Sequence, residues 1–142
     1  MKIRLLGLAL AACCSLVACG GGNDADSQPE QTTFVFRMHG MSASEEFRAT
    51  TASPEVTAQA RAQLFLPVAE RRMFANGKIL AGDGGENPGW NWHFDGFELA
   101  EMSIELCDAR PSMVEADLAY WLQTVKQFCP WGSYVYAELP AR

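Results

Sequence analysis

Phe34-Val35-Phe36-Arg37-Met38-His39 alternates in character, with Phe34, Phe36 and Met38 on one side and Val35, Arg37 and His39 on the other. A period of two marks a half-buried strand, so the body of this chain opens on a sheet with one face in a core. Residues 40–51 have loop character. Ser53-Pro54-Glu55 then starts a helix: a capping side chain, proline at the first helical position and a carboxylate near the positive end. Val56, Ala60 and Leu64 share one stripe of that helix, and Pro67 stops the pattern, which predicts a helix over 54–64.

Asn76-Gly77 reads as a turn, followed by a short strand over 78–81. Residues 82–89, Gly-Asp-Gly-Gly-Glu-Asn-Pro-Gly, form a long loop. The stretch 90–95 alternates again, with Trp90, Trp92 and Phe94 opposite Asn91, His93 and Asp95. The clearest strand is 97–106, where Met102, Ile104 and Leu106 point one way and Glu101, Ser103 and Glu105 the other. Ser112-Met113-Val114-Glu115 fits a capping box, and Val114, Leu118, Trp121, Leu122, Val125 and Phe128 trace the apolar face of a second helix that ends at Cys129-Pro130. A last strand alternates from Tyr134 to Leu139. The order β-α-β-β-β-α-β predicts an α+β domain: a mostly antiparallel sheet with two helices on one face and one disulfide.

The amino terminus carries an address. Lys2 and Arg4 precede an apolar run, Leu5 to Ala12, which is too short to span a bilayer. Leu16-Val17-Ala18-Cys19 follows and resembles the lipobox of bacterial lipoproteins. The resemblance implies a signal peptide over 1–18, a lipid on Cys19 and a membrane-anchored protein of the cell envelope. Gly20 directly after the cysteine, in place of an aspartate, resembles lipoproteins passed on to the outer membrane, with a periplasmic or surface face. Residues 19–33 would then be the lipidated cysteine and a flexible tether of Gly, Asn, Asp, Ser, Gln and Pro, unable to bury enough surface to offset its ordering entropy. Residues 34–142 remain as one globular domain, and all four Trp, three Tyr and eight Phe lie in it.

Charge narrows the partners. Eleven Lys and Arg stand against seventeen Asp and Glu, net −6, and loss of Lys2 and Arg4 with the leader makes the balance −8. Such a balance argues against binding a phosphate backbone and disfavours electrostatic docking on anionic lipid. The expected attachment to membrane is the lipid alone, and no nucleic acid is expected. Of five cysteines, Cys13 and Cys14 leave with the leader and Cys19 takes the lipid, so Cys107 and Cys129 are expected to pair in an oxidising compartment. A loop of about 22 residues closed this way is worth roughly 3 kcal/mol. The alternative is two separately buried thiols; no Cys-x-x-Cys spacing points to a redox or metal role.

Several spaced stretches carry a family resemblance: Phe34-Val35-Phe36-Arg37, Ala60-Arg61-Ala62-Gln63-Leu64, Gly82-Asp83-Gly84-Gly85, Trp90-Asn91-Trp92-His93, Ile104-Glu105-Leu106-Cys107-Asp108 with Arg110-Pro111-Ser112, and Phe128-Cys129-Pro130-Trp131. Together, over most of 34–139, they resemble a secreted bacterial domain family labelled calmodulin-binding-protein-like. The resemblance implies one disulfide-containing domain and brings no catalytic residue set with it.

Chemistry-bearing patterns are sparse. There is no Gly-x-Ser-x-Gly elbow and no Ser-x-x-Lys. The two histidines, His39 and His93, stand far apart, with no zinc-ligand spacing. Asp83, Glu86 and Asn87 could offer oxygen ligands to calcium, but their spacing does not match the helix-loop-helix pattern and an exposed turn is the plainer reading. On a strand, Glu101 and Glu105 would sit roughly 13 Å apart, too far for a retaining glycosidase pair. Arg71-Arg72 reads as a solvated turn. No metal or cofactor is expected. Trp90, Trp92 and Trp131 fall beside loops, where aromatic side chains either anchor a partner or fill the core. The expectation is therefore a lipid-anchored binding module for a protein or peptide, of the protease-inhibitor kind, using Asp83, Glu86, Asn87, Trp90, Trp92, His93 and Trp131. The rival is a small extracytoplasmic hydrolase or sugar-active protein built on His93 with Asp95 or Glu86.

Overall fold

The structure, a computed structural model, describes residues 30–104 and 106–140. The expected leader, the lipid-bearing Cys19 and the tether as far as residue 29 lie outside the described residues, as does Glu105. No helix among the described residues is long and apolar enough to cross a membrane.

β1 (Thr32–Met38) is the middle strand of a three-stranded antiparallel sheet, between β2 (Phe47–Thr51) and β7 (Ser133–Glu138). β3 (Phe74–Ala81) is the hub of a second antiparallel sheet. It pairs with β4 (Trp92–Phe94) through 79–81, with β5 (Glu98–Ala100) through 74–76 and with β6 (Gln127–Phe128) through 77–78. The helices are α1 (Pro54–Leu64), α2 (Pro111–Ala116) and α3 (Leu118–Tyr120), the last running into a π-helical turn, Trp121–Val125. The α+β class, the antiparallel pairing and the disulfide are as expected.

The core lies between the two sheets and is aromatic. Register places Phe36 opposite Phe47, and their rings stack at 5.1 Å. Phe47 in turn meets Trp92, Phe94 and Phe128 of the second sheet at ring separations of 5.9–6.0 Å. Val56 and Ala60 of α1, Val114 of α2 and Trp121 close the cluster. α1 occupies the expected span, and Ser53 Oγ accepts from the Val56 N–H at 3.3 Å, as its cap position requires.

Five local readings need correction. The stretch 47–51 is a strand, not loop: Phe47, Ala49 and Thr51 are buried in alternation and pair with β1. Asn76-Gly77 is not a turn, and β3 runs straight through it. Glycine is needed there because a Cβ would lie 2.6 Å from the Gly96 carbonyl oxygen. The strand expected over 97–106 stops at Ala100, and Met102, Ile104 and Leu106 stand in solvent. The capping box does not form: α2 starts two residues earlier, at Pro111 with Arg110 in the cap position, and Ser112 donates its N–H and Oγ–H to Glu45 while Glu115 accepts from the Asn91 N–H. The long helix breaks at Asp117 and ends at Lys126, whose φ of 65° is left-handed. Ending there frees Phe128 to pair with Gly77 in β6, yet the expected apolar face still packs inward.

Arg71 is likewise not a solvated turn residue. Its Nε donates to the Leu66 carbonyl at 2.9 Å and Nη2 to that of Leu64 at 3.1 Å. Nη1 donates to the Val135 carbonyl at 3.0 Å. One guanidinium thus ties the carboxyl end of α1 to β7, while Arg72 is exposed.

Candidate functional site

The loop over 82–89 is a tightly braced piece of structure. Asp83 is exposed, and its Oδ1 accepts the Gly85 N–H at 3.0 Å, folding the loop on itself. Asn87 is buried; Oδ1 accepts the Arg48 N–H at 2.8 Å and Nδ2 donates to the Trp92 carbonyl at 2.9 Å. It bolts the loop between β2 and β4, and at 1% exposure it is a brace rather than a surface contact. Gly84 packs on the His93 ring so closely that a Cβ would lie 2.6 Å from it, and His93 Nδ1 lies 2.8 Å from the Gly82 carbonyl oxygen.

The tryptophans divide. Trp92 is 0% exposed at the centre of the aromatic core, so it is a structural residue and is withdrawn from the candidate contact set. Trp90 is half-buried; it packs on the core and donates Nε1–H to the Glu46 carbonyl at 2.8 Å. Trp131 is 49% exposed, and its backbone N–H is held by Asp108 Oδ1 at 2.9 Å.

Glu86 is half-buried. Burial pushes its carboxyl above the ordinary range, against hydrogen bonds from Thr50 and the nearby His93. That neighbourhood is the nearest thing to the acid-histidine pair of a hydrolase, but the His93 nitrogen toward Gly82 is already engaged. Asp95 turns away to Lys78 at 3.4 Å. A groove of about 480 Å³, lined by Ser53, Asn76, Lys78, Asp95 and Glu98 among others, takes in Asp95 but not His93. Among the described residues no group of three His, Cys, Asp or Glu side chains is placed to hold a metal ion.

The most exposed apolar side chains near a structural staple lie elsewhere. Cys107 and Cys129 are bonded, with Cα atoms 5.2 Å apart, and both are buried. The Cys129 N–H also donates to the Cys107 carbonyl at 2.9 Å. From this fixed base the segment between β5 and Cys107 carries Met102, Ile104 and Leu106 at 81, 95 and 98% exposure. Trp131 sits at the same base through its bond to Asp108. Sequence reasoning missed this loop because the alternation of Met102, Ile104 and Leu106 imitates a half-buried strand; a signal was present in the disulfide directly after it, which holds a loop as well as it ends a strand.

The model of the family described as the BP-74 N-terminal domain matches residues 30–142. No curated protein and no solved structure matches the chain significantly.

Proposed function

The chain belongs to the BP-74 N-terminal domain family, and we propose that this member is a lipid-anchored envelope module that binds a protein or peptide partner, in the manner of a protease inhibitor. The observation that carries the reading is the loop 101–106: three large apolar side chains, 81–98% exposed, on a short segment whose end is covalently fixed to the core. Water-exposed Met, Ile and Leu in one short run are unfavourable unless something covers them. A loop held at its base loses little freedom on binding, which favours affinity. The calmodulin-binding label of the resembling family finds no support in composition: calmodulin targets are basic amphipathic helices, whereas this chain is net −6.

Anchoring at Cys19 after removal of 1–18, and delivery to the outer membrane, rest on the amino-terminal sequence. A disulfide between Cys107 and Cys129 fits that oxidising side of the membrane. Mass spectrometry of the native protein should find an acylated amino-terminal Cys19; an intact, lipid-free Met1 would refute the anchor. For the binding role, the purified protein is assayed against serine proteases with apolar primary pockets. Stoichiometric inhibition that Ile104→Asp abolishes is expected. Rapid cleavage between residues 101 and 106 without inhibition would make the loop a substrate and overturn the inhibitor reading.

A further inference from the structure

We infer that loop 101–106 and Trp131 form one contact surface, and that the protein it binds presents an apolar cleft rimmed by lysine and arginine. The inference rests on the protein-binding reading above and specifies the chemistry of the partner. Geometry supplies the first half. Asp108 follows Cys107 and holds the backbone of Trp131, which lies two residues beyond Cys129, so the loop's end and the half-exposed indole share one stapled base. Aromatic and aliphatic side chains placed together on a fixed base are the usual makings of an interface hot spot.

Charge supplies the second half. Between residues 98 and 108 the charged positions are Glu98, Glu101, Glu105 and Asp108, all acidic, and the next charge along the chain is Arg110. Glu98, Glu101 and Asp108 are exposed. Acidic residues beside the apolar ones disfavour a lipid surface, because seating Met102 and Ile104 in the interface would draw the neighbouring Glu101 in with them. A nucleic acid is repelled. A second copy of the chain would set acid against acid. What remains complementary is a protein surface apolar at its centre and cationic at its rim, with encounter rates that fall as salt rises.

The test uses the full mature protein and two twelve-residue peptides as probes, one alternating Lys with Val and the other alternating Glu with Val, with binding read by calorimetry. The Lys peptide should bind, the Glu peptide should not, and raising NaCl from about 50 to about 500 mM should weaken the former. The triple variant Met102→Ser, Ile104→Ser, Leu106→Ser should lose about tenfold or more in affinity for the Lys peptide, while its near-ultraviolet circular dichroism and melting temperature stay native. Glu98→Gln with Glu101→Gln should lose affinity while keeping the fold. Equal binding of both peptides, no binding of the Lys peptide, or unchanged affinity in the triple serine variant each overturns the proposal. Protease inhibition that persists in the triple serine variant would leave the binding function standing and remove only this surface from it.

Discussion

Trp92 and Trp131 are the same residue type with opposite assignments, and substitution separates them. Trp92→Ala removes the ring that touches Phe47, Phe94 and Phe128, and should cost about 3–5 kcal/mol in urea unfolding. Trp131→Ala removes a half-exposed ring while leaving the backbone bond to Asp108, and should shift stability by no more than about 0.5 kcal/mol. Glu86 gives the residue-scale pH dependence. Burial raises its folded pKa above the ordinary 4.5, so the folded chain binds that proton more tightly than the unfolded one. Its contribution is fully present below the unfolded value and is lost as pH rises through the folded value. Glu86→Gln should therefore melt higher than the native protein near pH 7, with the two curves converging as pH falls below about 4.5. Glu55 and Glu138 act in the opposite sense, their pKa values lowered chiefly by a backbone hydrogen bond and by Arg61 respectively. Both are common to the two proteins and cancel in the difference.

At the scale of elements, β3 depends on one missing side chain. Gly77→Ala places a Cβ 2.6 Å from the Gly96 carbonyl oxygen, a backbone atom that cannot step aside without opening the sheet. A loss of about 1–3 kcal/mol in equilibrium unfolding is expected, with hydrogen exchange accelerating first at Phe74–Ala81. The same position shows how far sequence reaches. Elements whose signals are local were legible: α1, with its Ser53 cap and Pro54, and the amphipathic pattern of Phe34–Met38. Asn76-Gly77 misled because a glycine placed for close approach looks like a glycine placed for a turn, and the approaching chain is about 20 residues away in sequence. The break at Asp117 and the π turn after it were unreadable for a related reason. A continuous helical face was visible, but the need of Phe128 to reach β3 was not. In the candidate site the disulfide was legible, whereas Asn87 looked like an exposed turn residue and proved internal, and the pattern left open which of Trp92 and Trp131 fills the core. Only the tertiary partners Arg48 and Phe47 decide that.

Across the whole molecule, the stapled pair joins the start of the carboxyl-terminal helices to the strand that follows them. Replacing both cysteines, Cys107→Ala with Cys129→Ala, opens a cross-link between residues 22 apart, and should lower unfolding stability by about 3 kcal/mol. The loop carrying Ile104 would lose its fixed base as well, so any inhibition should weaken in the same variant even at temperatures where it stays folded. One more property follows from Asn87 and Arg71. The three-stranded sheet ends in β2 on one side and β7 on the other, and each terminal strand has a backbone group taken by a side chain: the Arg48 N–H by Asn87, the Val135 carbonyl by Arg71. One position on each rim is thereby filled from within the molecule. Neighbouring copies in a concentrated solution find those two positions already occupied, which disfavours strand-on-strand addition in register with them.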